Sequence, residues 1–280
     1  MKQTRPTVLL IRAIALASLA APLPANAATG HPYAPPMIDA RFCLPAGDAP
    51  AAELAELAAA VDILRRTPLL NGYFGLLLSE SGPDICLDPA TIDSRGYFEP
   101  QGQVIAVSGA LSRLAMTLIV AHELRHLDQY RRGYGPSLAI DMGENIRLSF
   151  AMEADAQAIA TLFAWSANDS GDPALWRALE GLEHAEDIAA AFADAITAGA
   201  TPVSATRAAF SAWYRSPWRL ERYRAAAAGS HLDRLDAEKA IATATRLPPD
   251  HFDRMCLMPD GSNYDCHLTE EIEMRDGTSR

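Results

Sequence analysis

Three residues in one stretch of this chain have the types and spacing to work on a single metal ion. His122, Glu123 and His126 form H-E-x-x-H within ALSRLAMTLIVAHELRHLDQYRR, residues 110–132. Side chains four apart on an α-helix lie one above the other on the same face. Two imidazoles so placed can ligate one ion, and the carboxylate beside them can take a proton from a water molecule. A catalytic zinc site needs one more protein ligand and keeps a fourth position open for water. The expected chemistry is hydrolysis by a metal-activated water, with Glu123 as general base.

The third ligand must come from elsewhere. A histidine-rich extension of the motif would require Gly at 129 and His at 132, where the chain has Gln129 and Arg132. The remaining arrangement takes an acid from a following helix that packs against the first. Glu153, in Met152-Glu153-Ala154-Asp155-Ala156, lies 27 residues after His126 in an apolar surround. A buried carboxylate without a partner is costly or shifts its pKa, and a cation removes that cost. The competing role for Glu153 is a salt bridge with Arg125 or Arg147. Asp155 stands about 200° away around the helix axis, so both acids cannot face one ion. Its expected role is a buried pairing or a contact that orients a histidine ring, with ligation as the alternative. Glu144, at the expected helix start, is a weaker third-ligand alternative.

His122-Glu123-x-x-His126 followed by Glu153-Ala154-Asp155-Ala156 resembles the gluzincin zinc metallopeptidases, and most closely a bacterial family of putative metallopeptidases marked by H-E-L-R-H and E-A-D-A. The likeness covers about residues 96–165. It implies Zn2+ held by His122, His126 and Glu153, with Glu123 as base and a peptide or protein as substrate. One departure concerns membrane-associated gluzincins, whose E-x-x-A-D pattern would put the ligand at Ala151.

These residues must be positioned by the rest of the chain. Helices are expected over 50–66, from 143 or 144 to 165, and over 174–183, 186–198, 203–214, 217–228 and 233–245, with apolar periodicity and Gly or Pro punctuation between them. Tyr73–Ser79 reads as a short strand. Gly96–Ser108 reads as a hairpin around Pro100-Gln101-Gly102. Its second arm precedes the motif helix and could form the edge of a cleft to which an extended peptide adds. The fold class expected is therefore α+β and mostly helical. It has a zincin-like core with a small antiparallel sheet against the H-E-x-x-H helix, and a further C-terminal helical part.

The N-terminus reads as a targeting signal. Lys2, Arg5 and Arg12 precede an apolar run, and Ala25-Asn26-Ala27 is a small-x-small cleavage pattern. Residues 1–27 are expected to be removed. Residues 28–280 then form one domain, with a core at about 50–167, a helical extension at 173–247 and a tail at 248–280. The expected location is the periplasm or the exterior, with no membrane association after cleavage.

Residues 1–27 carry three positive charges and no negative one, so the formal net charge of −11 becomes −14 without them. So acidic a chain argues against a nucleic-acid partner, which needs clustered Lys and Arg. An even number of cysteines in an exported chain points to two disulfides. Cys256 and Cys266 flank the turn-rich MPDGSNYD and are expected to pair, leaving Cys43 with Cys86 by elimination. Four cysteines nonetheless allow three pairings.

Several other groups are conceivable donors to a reacting oxygen: Arg125, Tyr130, Tyr134, His184, His231, His251 and His267. Aromatics and arginines interleave from Trp213 to Arg224, which reads as two helices packed through aromatic faces with solvated arginines, or as one wall of a substrate cleft.

Overall fold

The computed structural model describes residues 38–45, 50–79, 81–89, 95–248 and 250–266. The expected signal sequence 1–27, most of the Pro-rich arm after it and His267 lie outside the described residues. Helix α1 (Ala55–Arg66) buries Leu57, Val61 and Leu64, the stripe its periodicity foretells. A short helix, α2 (Tyr73–Leu77), follows. Three strands come next, β1 (Asp84–Asp88), β2 (Gly96–Glu99) and β3 (Val104–Ser108). Two long helices carry the motif residues, α3 (Arg113–Arg131) and α4 (Met142–Asp169). The chain then runs through α5 (Ala174–Glu180), α6 (Glu186–Thr197), α7 (Pro202–Trp213) and α8 (Pro217–Glu238). The class is α+β and mostly helical.

The structure corrects several expectations. Residues 73–77 are helix, not strand: Phe74 and Leu77 are buried while Leu76 is 70% exposed. Burial of positions three apart is a helical pattern, and an apolar run this short does not reveal its period in sequence. The sheet is mixed rather than antiparallel. Its order is β1-β3-β2, with β2 antiparallel and β1 parallel to β3. The hairpin forms as expected, but β3 is the central strand, flanked on both sides, and cannot accept a further strand. An added peptide would have to use an outer edge of the sheet. Gly229 does not divide the last helix, because nothing in its backbone or surroundings demands a break, and α8 continues to Glu238. Residues 240–245 are not helical.

Local chemistry fixes the two site helices. The Ser112 side chain accepts from Ala115 N at the start of α3, and the Asp141 side chain accepts from Gly143 N at the start of α4. At the other end of α3, Gly133 takes φ +88°, and Tyr134 N donates to Gln129 O at 2.9 Å, closing the helix and turning the chain. Both helices are apolar on most sides and lie against each other in the centre, with β2 and β3 on one flank of α3. The sheet approaches closely: a Cβ on Gly96 would sit 2.5 Å from Ile119 Cγ2. Only glycine fits at that crossing.

A single cluster of buried apolar residues extends from Leu57 through both site helices to Tyr264 and Cys266. Disulfides join Cys43 to Cys86 and Cys256 to Cys266. They suit an oxidising compartment. No helix among the described residues is long and apolar enough to cross a membrane.

Candidate metal centre

One turn of α3 places His122 below His126, and α4 brings Glu153 against both. The His122 and His126 Nε2 atoms are 3.2 Å apart. Glu153 Oε1 is 3.3 Å from His126 Nε2, and its Oε2 is 3.4 Å from His122 Nε2. All three residues are buried. This is the one group of three or more such side chains, among the described residues, that could hold a metal ion. The triangle passes a dimensional test. For ligands about 2.0–2.1 Å from a tetrahedral ion, neighbouring ligand atoms are about 3.3–3.4 Å apart. Two atoms at this site lack a hydrogen-bond partner: His122 Nδ1 and Glu153 Oε2. A buried carboxylate oxygen left so is expensive in a purely structural role.

The other acids are elsewhere. Asp155 lies on the far side of α4, where Arg125 Nε and Nη2 donate to its two oxygens at 2.7 and 2.9 Å. Glu144 pairs with Arg147 at 3.1 Å, near the start of α4. Glu153 instead has the two histidines as its ion-pair neighbours. Glu123 is buried, and its charge is felt by His126.

The family model described as "Putative metallopeptidase family (DUF6782)" matches residues 33–266. The chain belongs to this family. No curated protein and no solved structure matches it. The family's description names a metallopeptidase, and His122, His126 and Glu153 are residues that could hold the metal this implies.

The groups at this centre shift one another's titration. Burial alone would lower the pKa of His126, but the charge of Glu153 and its hydrogen bond, with smaller help from Glu123 and Gln129, raise it to about 9. Burial alone would likewise raise the pKa of Glu153, yet the neighbouring His126 and His122 rings bring it below its ordinary value. Without a metal, a proton on His126 therefore balances the carboxylate.

Two further residues bear on this cluster without being marked out by the sequence. In the sequence, Gln129 stands out only as a mismatch with a histidine-rich extension. In the structure its side-chain oxygen lies 2.8 Å from His126 Nδ1, while its Nε2 donates to Met152 O and Asp155 Oδ2 at 2.9 and 2.6 Å. The signal was present: Gln129 is three residues after His126, one helical turn on. Tyr223 of α8 is buried, and its pKa is well above the ordinary value through burial and then the charges of Glu153 and Glu123. It lies in the aromatic and arginine-rich segment, but nothing in that segment identifies which residue faces the acids.

The other candidate donors differ in their surroundings. Arg125 is committed to Asp155 and Tyr134 lies by Arg132, while Tyr130 packs on Phe98 and, buried, also feels the charge of Glu153, though more weakly than that of Arg234. His184 stacks on Trp218, His231 is bonded to Asn145, and His251 packs on Tyr134. Trp213 packs on Phe150 and Tyr223, as an aromatic interface between helices requires. The expectation of solvated arginines fails at Arg219, which is 2% exposed. It donates to Trp213 O at 2.8 Å and to Asp187 Oδ1 at 2.9 Å, tying α7 and α6 to α8.

Proposed function

We propose that this chain is an exported zinc-dependent peptidase. His122, His126 and Glu153 would hold the ion, and Glu123 would act as general base. The observation that carries the reading is the triangle of three buried donors with a glutamate next to one of them in sequence. Two nitrogens and one carboxylate oxygen are a catalytic zinc donor set, which leaves one position for water or substrate. The bound ion would supply a lowered water pKa and a polarised scissile carbonyl.

The chain's own residues would do the rest. Glu123 would take the proton from the attacking water and deliver it to the leaving amine. Burial strengthens this carboxylate's interactions by excluding water. Tyr223 keeps its phenolic proton well above neutral pH and feels both acids, which makes it the best-supported donor to the oxygen of the substrate carbonyl. Export through removal of residues 1–27 is supported by the two disulfides.

A second reading is a zinc- or peptide-binding protein without hydrolytic turnover. One observation favours it: His122, Glu123, His126 and Glu153 are all 1–2% exposed, so a substrate reaches them only if something moves. One experiment separates the two readings. Zinc-loaded protein should cleave members of a broad peptide library, and Glu123→Gln should retain zinc while losing about 100-fold or more in rate. Zinc binding without cleavage by the wild type selects the second reading.

A further inference from the structure

On the side of α3 and α4 away from the metal triangle, a chain of polar contacts leads from the C-terminal disulfide loop to His126. Asp155 is 0% exposed and accepts four hydrogen bonds. Its Oδ1 takes the Tyr264 hydroxyl at 2.7 Å and Arg125 Nη2 at 2.9 Å. Its Oδ2 takes Arg125 Nε at 2.7 Å and Gln129 Nε2 at 2.6 Å. The same guanidinium donates to the carbonyls of Met255, just before the loop, and Leu257, within it, at 3.2 and 2.7 Å. The loop is closed by Cys256–Cys266, and both cysteines are buried.

These contacts fix which nitrogen of His126 faces Glu153. The Gln129 amide nitrogen is turned to two acceptors, Met152 O and Asp155 Oδ2, so its carbonyl oxygen points at His126 Nδ1. That oxygen can only accept, and Nδ1 must therefore carry a hydrogen. The neutral ring then has its lone pair on Nε2, the atom beside Glu153 and His122. Reversing the amide would place its oxygen against two acceptors, Met152 O and Asp155 Oδ2, and lose both hydrogen bonds. Asp155 makes that reversal unfavourable, and the loop holds Asp155 on its other oxygen.

We propose that the loop closed by Cys256 and Cys266 is a positioning device for the metal-facing nitrogen of His126, acting through Tyr264, Asp155 and Gln129. This rests on the metal reading above and adds to it a dependence of metal affinity on a segment more than 100 residues away in sequence. Partners of ligating histidines affect affinity strongly, and their loss typically weakens binding by about 10- to 100-fold. Tyr264 and the disulfide are thus positioning groups, not ligands.

The test measures zinc affinity of the full mature chain by competition with a chromophoric chelator, and follows the His126 Nδ1–H resonance by NMR. Gln129→Ala should weaken zinc binding by about 10- to 100-fold and lose the slowly exchanging Nδ1 proton. Tyr264→Phe should weaken it by about five- to tenfold and speed exchange of that proton, with the fold retained. The double change Cys256→Ser with Cys266→Ser should lower affinity at least as much as Tyr264→Phe. Should that double variant fail to fold, Tyr264→Phe decides alone. Wild-type affinity and a protected proton in Tyr264→Phe overturn the proposal and reduce the loop to packing. A wild type that takes up no zinc removes the metal reading; the proton is then read in the metal-free protein, where its absence overturns the relay independently.

Discussion

Two buried charged clusters lie on the same pair of helices, and they are built oppositely. Around Arg125 and Asp155, the guanidinium is engaged through all three nitrogens and both carboxylate oxygens are taken. Around His122, His126 and Glu153, two polar atoms lack hydrogen-bond partners, and the donors crowd at 3.2–3.4 Å. The first cluster is complete as protein alone. The second balances its charge by retaining a proton on His126, and its dimensions suit an ion. Burial and charge alone therefore do not separate two acids only two residues apart; their hydrogen bonding does, since both Asp155 oxygens are taken whereas Glu153 Oε2 has no hydrogen-bond partner.

Breaking each cluster should have opposite consequences. Arg125→Leu leaves the Asp155 charge buried with only hydroxyl and amide donors. It should cost about 3–5 kcal/mol in urea unfolding of the metal-free protein. Glu153→Gln removes the charge that makes His126 retain its proton, so metal-free stability should change by no more than about 1–2 kcal/mol while metal binding is lost. If Glu153→Gln destabilises as much as Arg125→Leu and leaves metal affinity intact, the two clusters are alike and the contrast fails.

A subtler distinction is visible in pH. Folding raises the pKa of His126 from the ordinary 6.5 to about 9, through the neighbouring Glu153 charge and against the effect of burial. Its contribution to metal-free stability is fully present below about pH 6.5 and is lost as pH rises through about 9. Metal needs the deprotonated ring, so affinity should rise by up to about tenfold per pH unit over that same window. Metal-free stability and metal affinity should thus move in opposite directions, as unfolding curves and chelator competition at several pH values can show. A metal affinity flat across the window would mean that His126 binds no proton in the free protein.

The sequence exposes some of this arrangement and conceals other parts for definable reasons. His122, Glu123 and His126 are local, and helical spacing alone puts them together. Glu153 is legible because an acid in an apolar helix asks for a partner, although only packing shows that its partner is the histidine pair and that Asp155 takes Arg125. Strand β1 was missed and α2 misread because parallel pairing is a non-local property and a five-residue apolar run has no readable period. Gln129 is legible only through its spacing, one helical turn after His126, because its residue type does not mark it out, and Tyr223 stands on a separate element, α8, so nothing local ties it to Glu153 and Glu123. The mixed sheet follows from the same limitation. A hairpin is visible in sequence, whereas the strand that joins its far side is not.

The most direct measurement of the central claim is zinc stoichiometry and affinity for the purified mature protein, set beside Glu153→Ala and Asp155→Ala. The account predicts about one zinc per chain for the wild type. It predicts loss of binding in Glu153→Ala and weakened but saturable binding in Asp155→Ala. No zinc taken up by the wild type, or binding that survives Glu153→Ala and disappears in Asp155→Ala, would contradict it.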